Sequence, residues 1–248
     1  MNAWIVVQAR MSSTRFPGKV LADVHGAPLI VRLLERLAQV EQTGVVVATT
    51  TETDDDPLAE TVARAGVNVV RGSLEDVLGR FAAAAATVGA DPVVRITADC
   101  PLADPGLIDA MLSRWRELDG TADLLTNVSP PTYPDGLDVE IVSRAALERA
   151  NAECNDAFER EHVTRHLHQR PEDYRHVAWT TEPDRSGERW TVDYPQDLDF
   201  VRAVYAELYP ALGPAFRQRE IDHLLSNRPD IAALQADVLR NEALQPPD

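Results

Sequence analysis

Lysine is almost absent. Of the 24 Lys and Arg residues in the 248-residue sequence, Lys19 is the single lysine and arginine supplies the other 23. Basic charge as a whole is short, because 40 Asp and Glu leave a formal net charge of −16 at pH 7. A protein that holds nucleic acid by charge needs a basic face to neutralise phosphates, so that function class is excluded, and any anionic ligand must be met by a local cluster. Cysteine is scarce too. Cys100 and Cys154 lack CxxC spacing and a His-rich partner segment, so neither a disulfide framework nor a zinc site is indicated, which fits a reducing cytoplasm. The six histidines contain no HExxH spacing. No apolar run approaches the ~20 residues of a membrane helix. The opening MNAWIVVQAR enters a strand pattern without a basic leader or small-residue cleavage site. Neither export nor a membrane anchor is expected, and a cytoplasmic location is.

What is present is the composition of a folded domain, 44% hydrophobic and 26% charged. Short β-branched runs at Trp4 to Val7, Val45 to Ala48, Val67 to Val70 and Val93 to Ile96 alternate with helical patterns. Leu29, Ile30, Leu33, Leu34, Leu37 and Val40 recur at helical spacing, and Val77, Leu78 and Phe81 lead an alanine-rich helix with Ser73 placed as its N-cap. This βαβ rhythm predicts an α/β fold with a mostly parallel sheet covered by helices on both faces. After about residue 120 the rhythm changes. A proline-rich loop and a PDG turn precede an alternating strand, Leu137 to Val142, and helices are expected near 143–153 and 158–169. Strands near 175–181 and 189–192 and a helix opened by Pro195 follow. The chain reads as one domain, 1–248, with a small antiparallel insertion near 127–182 and a helical C-terminal extension over 213–248. Two short helices are expected in that extension, and the tail QPPD is expected to fray.

The segment QARMSSTRFPGK, residues 8–19, directly follows the first strand, at the carboxyl edge where ligands of parallel sheets bind. It carries Arg10, Arg15 and Lys19, small hydroxyl residues Ser12, Ser13 and Thr14, and a Pro-Gly turn. Exposed amides with two or three cations suit a polyphosphate; arginine forks hold its oxygens and lysine acts as a mobile point charge. In a chain that otherwise uses arginine, one retained lysine points to a chemical need. The spacing is neither that of a P-loop nor that of a dinucleotide fingerprint.

QARMSSTRFPGKVL resembles the opening motif of the CMP-sugar synthetases. The chain is most similar to their spore-coat polysaccharide branch, relatives of the CMP-KDO and CMP-acylneuraminate cytidylyltransferases. RGSLEDVLGRF at 71–81, VVRITADCPLADP at 93–105, YPDGLDVEIVS at 133–143, REHVT at 160–164 and WTVDYPQDL at 190–198 match in order. The resemblance implies a three-layer nucleotide-diphospho-sugar transferase fold. It also implies transfer of CMP from CTP to the hydroxyl of a sugar, expected to be a sugar acid, with release of pyrophosphate, for surface polysaccharide synthesis. Mg²⁺ as cofactor and a homodimer are implied too. Asp99, after the strand Val93 to Ile96, matches the first metal aspartate. Asp193, at the end of an expected strand Trp190 to Val192, matches the second. Arg10, Arg15 and Lys19 would hold the β and γ phosphates. Ala9, Ser12, Ser13 and the segment Arg71, Gly72, Ser73 and Asp76 would face the nucleotide, with a surface ion pair as the competing reading for Arg71 and for Asp76. Asp135, Asp138, Glu140, Glu161 and His162 would border the acceptor, with capping or pairing to Glu159 as the alternative for His162.

The family often places a small hydroxyl residue where this chain has Tyr194, which puts the local helix cap in question. Asp54, Asp55 and Asp56 precede Pro57 and read as a solvated helix N-terminus. Other readings are a nucleotidyltransferase for a sugar 1-phosphate or phosphonate, a metal-dependent glycosyltransferase and a nucleotide-binding regulatory domain. Asp99 lacks the adjacent second aspartate that a glycosyltransferase D-x-D pair requires.

Overall fold

The β-branched runs form the centre of a seven-stranded sheet in the computed structural model, which describes residues 1–41 and 43–235. The strands are β1 (Trp4–Gln8), β2 (Asp23–Val24), β3 (Ala27–Pro28), β4 (Gly44–Thr50), β5 (Asn68–Gly72), β6 (Val93–Thr97), β7 (Leu124–Thr126), β8 (Glu140–Val142) and β9 (His176–Ala178). The helices are α1 (Leu29–Leu37), α2 (Asp56–Arg64), α3 (Val77–Val88), α4 (Pro105–Leu118), α5 (Arg144–Glu153), α6 (Ala157–Glu161), α7 (Arg165–His168), α8 (Pro195–Leu212), α9 (Gln218–Asn227) and α10 (Pro229–Ala232).

The sheet order is β5-β4-β1-β6-β8-β7-β9, while β2 and β3 make a separate hairpin. β5, β4, β1 and β6 are parallel; β8 runs antiparallel to both β6 and β7, and β9 is parallel to β7. Segment 127–182 therefore adds β8 and β9 to the main sheet.

Successive side chains of a strand point to opposite faces. Ile5 and Val7 enter a core with Leu33 and Met111 from α1 and α4, whereas Val6 enters one with Phe81 and Leu147 from α3 and α5. The result is the expected three-layer α/β arrangement. A third cluster joins α8 and α9 to Trp190 and Val192 through Phe200, Tyr205 and Ile221.

Several local expectations are corrected. The cap of α3 is Asp76, not Ser73: its carboxylate accepts the Gly79 N–H at 2.8 Å. The strand expected from Leu137 is paired only over Glu140–Val142. Before it, the Asn127 side chain intercepts the backbone, donating to the Leu137 carbonyl and accepting from the Val139 N–H, each at 2.8 Å. The helix expected at 158–169 breaks into α6 and α7 around Val163, whose φ of 51° is a costly conformation for a β-branched residue. Residues 190–192 form no strand; they cross the site as a single pass bonded to loops. In the C-terminal extension α9 and α10 appear as expected, and the tail QPPD lies outside the described residues.

Candidate active site

The pass of residues 189–192 brings the two predicted metal aspartates together. The Val192 N–H donates to the Asp99 carbonyl at 2.8 Å, and the Thr191 hydroxyl donates to the same oxygen at 3.1 Å. On the other side the Trp190 N–H donates to the Asp135 carbonyl at 2.6 Å. That approach depends on Gly136, with φ 111°, where a Cβ would stand 2.6 Å from the Trp190 carbonyl carbon. Asp193 thus stands beside Asp99, although no strand carries it there.

The loop after β1 closes on itself. The Gly18 N–H donates to the Met11 carbonyl at 2.9 Å, and Gly18 at φ 75° turns the chain into Lys19. The Lys19 ammonium donates to three acceptors, the Val192 carbonyl at 2.7 Å, Asp193 Oδ1 at 2.9 Å and Asp99 Oδ2 at 3.2 Å. Burial disfavours its charge, but Asp99 and Asp193 outweigh that cost and raise its pKa. Burial would likewise raise the Asp99 carboxyl, but the Lys19 charge and the Thr97 hydroxyl hold it below the ordinary carboxylate range. The expected mobile lysine is instead a buried bridge between two carboxylates. Beside it, Arg15 pairs with Asp193 at 2.8 Å and Arg10 with Glu161 at 3.2 Å.

These groups share one cavity of about 670 Å³. Ala9, Arg10, Ser13, Arg15, Lys19, Asp99, Asp135, Asp138, Glu140, Glu161, His162 and Asp193 line it; Ser12, Arg71, Ser73 and Asp76 are outside the lining. For two of those outside, the competing ion-pair reading describes the structure. Arg71 pairs with Asp56 at 2.7 Å and donates to the carbonyls of Thr50 and Glu52. Asp76 caps α3 and receives Arg160 at 2.9 Å on each oxygen.

Glu140 is at the wall but has no free oxygen. It accepts from Arg95 at 2.5 Å, from His168 and the Thr164 hydroxyl at 2.7 Å each, and from the Thr126 hydroxyl at 3.4 Å. It therefore holds Arg95 and His168 in place rather than meeting an acceptor. The break between α6 and α7 brings His162, Thr164, Arg165 and His168 to the cavity. Burial pushes the His162 imidazole below its ordinary value, which favours its neutral form. Glu159 pairs with His166 at 2.8 Å and with Arg170 at 3.1 Å, not with His162. His166 is buried.

The sequence reading missed three organisers. Arg189, 5% exposed, donates to Asp135 at 3.2 Å, to Asp193 at 3.1 Å and to both oxygens of Asp197 at 3.0 Å. Asp197 in turn accepts the N–H groups of Asp193 and Tyr194 at 2.8 Å each, which caps α8 without a small hydroxyl residue. The visible signal was a row at four-residue spacing, Arg189, Asp193 and Asp197. Asp55, read as solvated, is 2% exposed and accepts the Met11 N–H at 2.6 Å and the Thr50 hydroxyl, pinning the β1 loop.

For a divalent cation, the chemistry of the donor set fits. Asp99 and Asp193 offer hard carboxylate oxygens already gathered around one positive charge. Cys154, Glu159 and His166 also gather within 4.8 Å, but Arg170 and His166 already engage that carboxylate.

Residues 4–226 match the Cytidylyltransferase family. The chain belongs to that family. It is 30% identical over 236 residues to the spore coat polysaccharide biosynthesis protein SpsF of Bacillus subtilis, covering 92% of this chain and 95% of that protein. A solved cytidylyltransferase of Leptospira borgpetersenii superposes with a TM-score of 0.88 at 30% identity, covering 97% of this chain and 100% of the other. A 3-deoxy-manno-octulosonate cytidylyltransferase of Geobacter sulfurreducens is 37% identical over 119 residues, 47% of this chain and 46% of that one. This cytidylyltransferase is accordingly a nucleotidyltransferase enzyme that takes CMP from CTP, and its fold is that of the nucleotidyltransferases.

Proposed function

We propose that this cytidylyltransferase transfers CMP from CTP to the hydroxyl of a sugar acid, with Mg²⁺, to supply surface polysaccharide synthesis. The observation that carries this reading is the convergence of Asp99 and Asp193 on one cation, Lys19, in a cavity that the arginines of the β1 loop also line. Arg10 and Arg15 exchange Glu161 and Asp193 for the β and γ phosphate oxygens. Lys19 stays charged beside the leaving pyrophosphate, where a fixed cation in a water-poor site is most effective. Asp99 and Asp193 hold the metal ion, which supplies charge neutralisation of the triphosphate and a more acidic attacking hydroxyl. The acceptor oxygen bonds to the α-phosphorus as the bond to the bridging oxygen breaks; pyrophosphate leaves and the hydroxyl proton passes to solvent.

An anionic acceptor is not repelled by this cavity. Of its carboxylates, Glu140 is neutralised by Arg95 and Asp135 by Arg189, while Arg165 faces it with no ion-pair partner among the described residues. His162, Asp135 and Asp138, which also line the cavity, bind sugar hydroxyls. The protein is expected to act as a homodimer in the cytoplasm. A pyrophosphate-release screen of the four nucleoside triphosphates against sugar acids and sugar 1-phosphates tests the reading. Turnover of CTP with a sugar acid is expected; turnover only with sugar 1-phosphates or phosphonates would replace the acceptor class.

A further inference from the structure

The loop that carries Asp99 takes its shape from two buried side chains that the proposed reaction does not use. Residues 99–103 follow β6 as irregular backbone, so their carbonyls need partners that no ladder or helical turn supplies. The Asp99 carbonyl meets Thr191 and Val192, and the Cys100 carbonyl accepts the Ala103 N–H at 3.0 Å. The other three go to Tyr205 and Arg36. The Tyr205 hydroxyl donates to the Pro101 carbonyl at 2.9 Å, while Arg36 donates through Nη2 to the Leu102 carbonyl at 3.3 Å and through Nε to that of Ala103 at 3.0 Å. Both side chains are fully buried. Phe216 backs them together, edge-on to Tyr205 with ring centroids 5.3 Å apart and 4.0 Å beneath the Arg36 guanidinium. Burial raises the Tyr205 phenol, so it keeps its proton and donates.

Tyr205 belongs to the helix that also anchors Asp193. Asp197, in the first turn of α8, fixes the backbone there by accepting the N–H groups of Asp193 and Tyr194 at 2.8 Å each. Tyr205 lies eight residues further along, about 12 Å on a helix that rises 1.5 Å per residue. It holds a carbonyl two residues from Asp99. One rigid element therefore carries both holds, and the gap between the two carboxylates that meet at Lys19 is set along α8.

We propose that Tyr205 is a positioning residue for nucleotidyl transfer, its hydroxyl setting through the Pro101 carbonyl where Asp99 stands relative to Asp193. Tyr205 itself is outside the cavity lining and acts only through the loop. The inference rests on the reading that Asp99 and Asp193 hold the metal ion.

Tyr205→Phe removes the hydroxyl and keeps the ring against Phe216. Binding of Mn²⁺ to the full chain, followed by the electron paramagnetic resonance of the free ion, is the direct test. Losing a group that orients a metal ligand weakens metal binding by about 10- to 100-fold, and the lower figure is expected because the effect passes through a loop. Pyrophosphate release at saturating metal should show a lower kcat with an unchanged KM for CTP, since the β1 loop is untouched. Tyr209→Phe is the control. It sits one turn further on α8, its hydroxyl donates to Glu35 at 3.0 Å, and its loss should leave Mn²⁺ binding as in the wild type. Arg36→Lys gives up the two-armed hold on Leu102 and Ala103, carries the same expectation as Tyr205→Phe and decides the matter should that variant not fold. Wild-type Mn²⁺ affinity in Tyr205→Phe overturns the proposal, as does an equal loss in Tyr209→Phe, which would mark a general loosening of α8. A wild type that binds Mn²⁺ no better than Asp99→Asn removes the metal reading instead.

Discussion

Lys19→Arg is the substitution that most directly probes the geometry of the site. The ammonium sends its three N–H groups to three acceptors at 2.7, 2.9 and 3.2 Å, with a side chain only 9% exposed. A tetrahedral ammonium can do this from one point; a planar guanidinium spreads its donors in a plane and needs more room. Forcing it in should cost about 1–3 kcal/mol of stability by overpacking. Displacing Asp99 and Asp193 from the reacting position should lower kcat/KM by on the order of tenfold to a hundredfold. Lys19→Met removes the charge as well. Breaking a buried pair costs about 3–5 kcal/mol, and the lower end applies because Asp193 keeps Arg15 and Arg189. Urea unfolding measures the first quantity, and steady-state pyrophosphate release with CTP and the acceptor found by screening measures the second. An arginine variant with wild-type rate and stability would show that any cation suffices there, and that the single lysine reflects no geometric requirement.

Three further outcomes are expected. Asp99→Asn and Asp193→Asn should each abolish pyrophosphate release with little change in the far-ultraviolet circular dichroism; full activity in either removes the metal assignment. Burial alone would raise the Glu140 carboxyl, but the His168 hydrogen bond and the Arg95 charge hold it at about 2 instead of 4.5. This depressed value contributes roughly 3 kcal/mol of stability, present above about pH 4.5 and lost as pH falls toward 2. Glu140→Gln should be less stable by about that amount at pH 7, with the gap closing toward pH 2; a gap that stays constant contradicts the network. Asp55→Ala leaves the Met11 N–H and the Thr50 hydroxyl without their acceptor and should raise the KM for CTP by on the order of tenfold, at about 1–3 kcal/mol for a lost buried partner. A CTP titration matching the wild type would show that the β1 loop holds its shape unaided.

The parallel strands were legible because strands buried on both faces write themselves as continuous β-branched runs. The loop after β1 was legible because Pro17 and Gly18 mark a turn beside clustered charge. Asp99 could be placed from the strand before it. Arg189 and Asp55 were not legible, since their partners are chosen by how loops cross. Arg189 was read as part of a strand and Asp55 as solvated, yet both are buried among site residues. Arg71 and Arg80 show the limit most clearly. The more conspicuous Arg71 spends its guanidinium on Asp56, while Arg80, a single cation in an alanine-rich helix, is the one that lines the cavity.

By itself the sequence determined the α/β class, the ligand edge of the sheet and the chemical types gathered there, because periodicity and turn chemistry are local properties. It marked Lys19 as unusual without saying what it does. Only the tertiary structure decided that. Asp99 and Asp193 lie 94 positions apart, and the pass over Gly136 brings both, with the Val192 carbonyl, to one point where three acceptors converge. A compact ammonium on a flexible stem satisfies such a point, and a guanidinium does not.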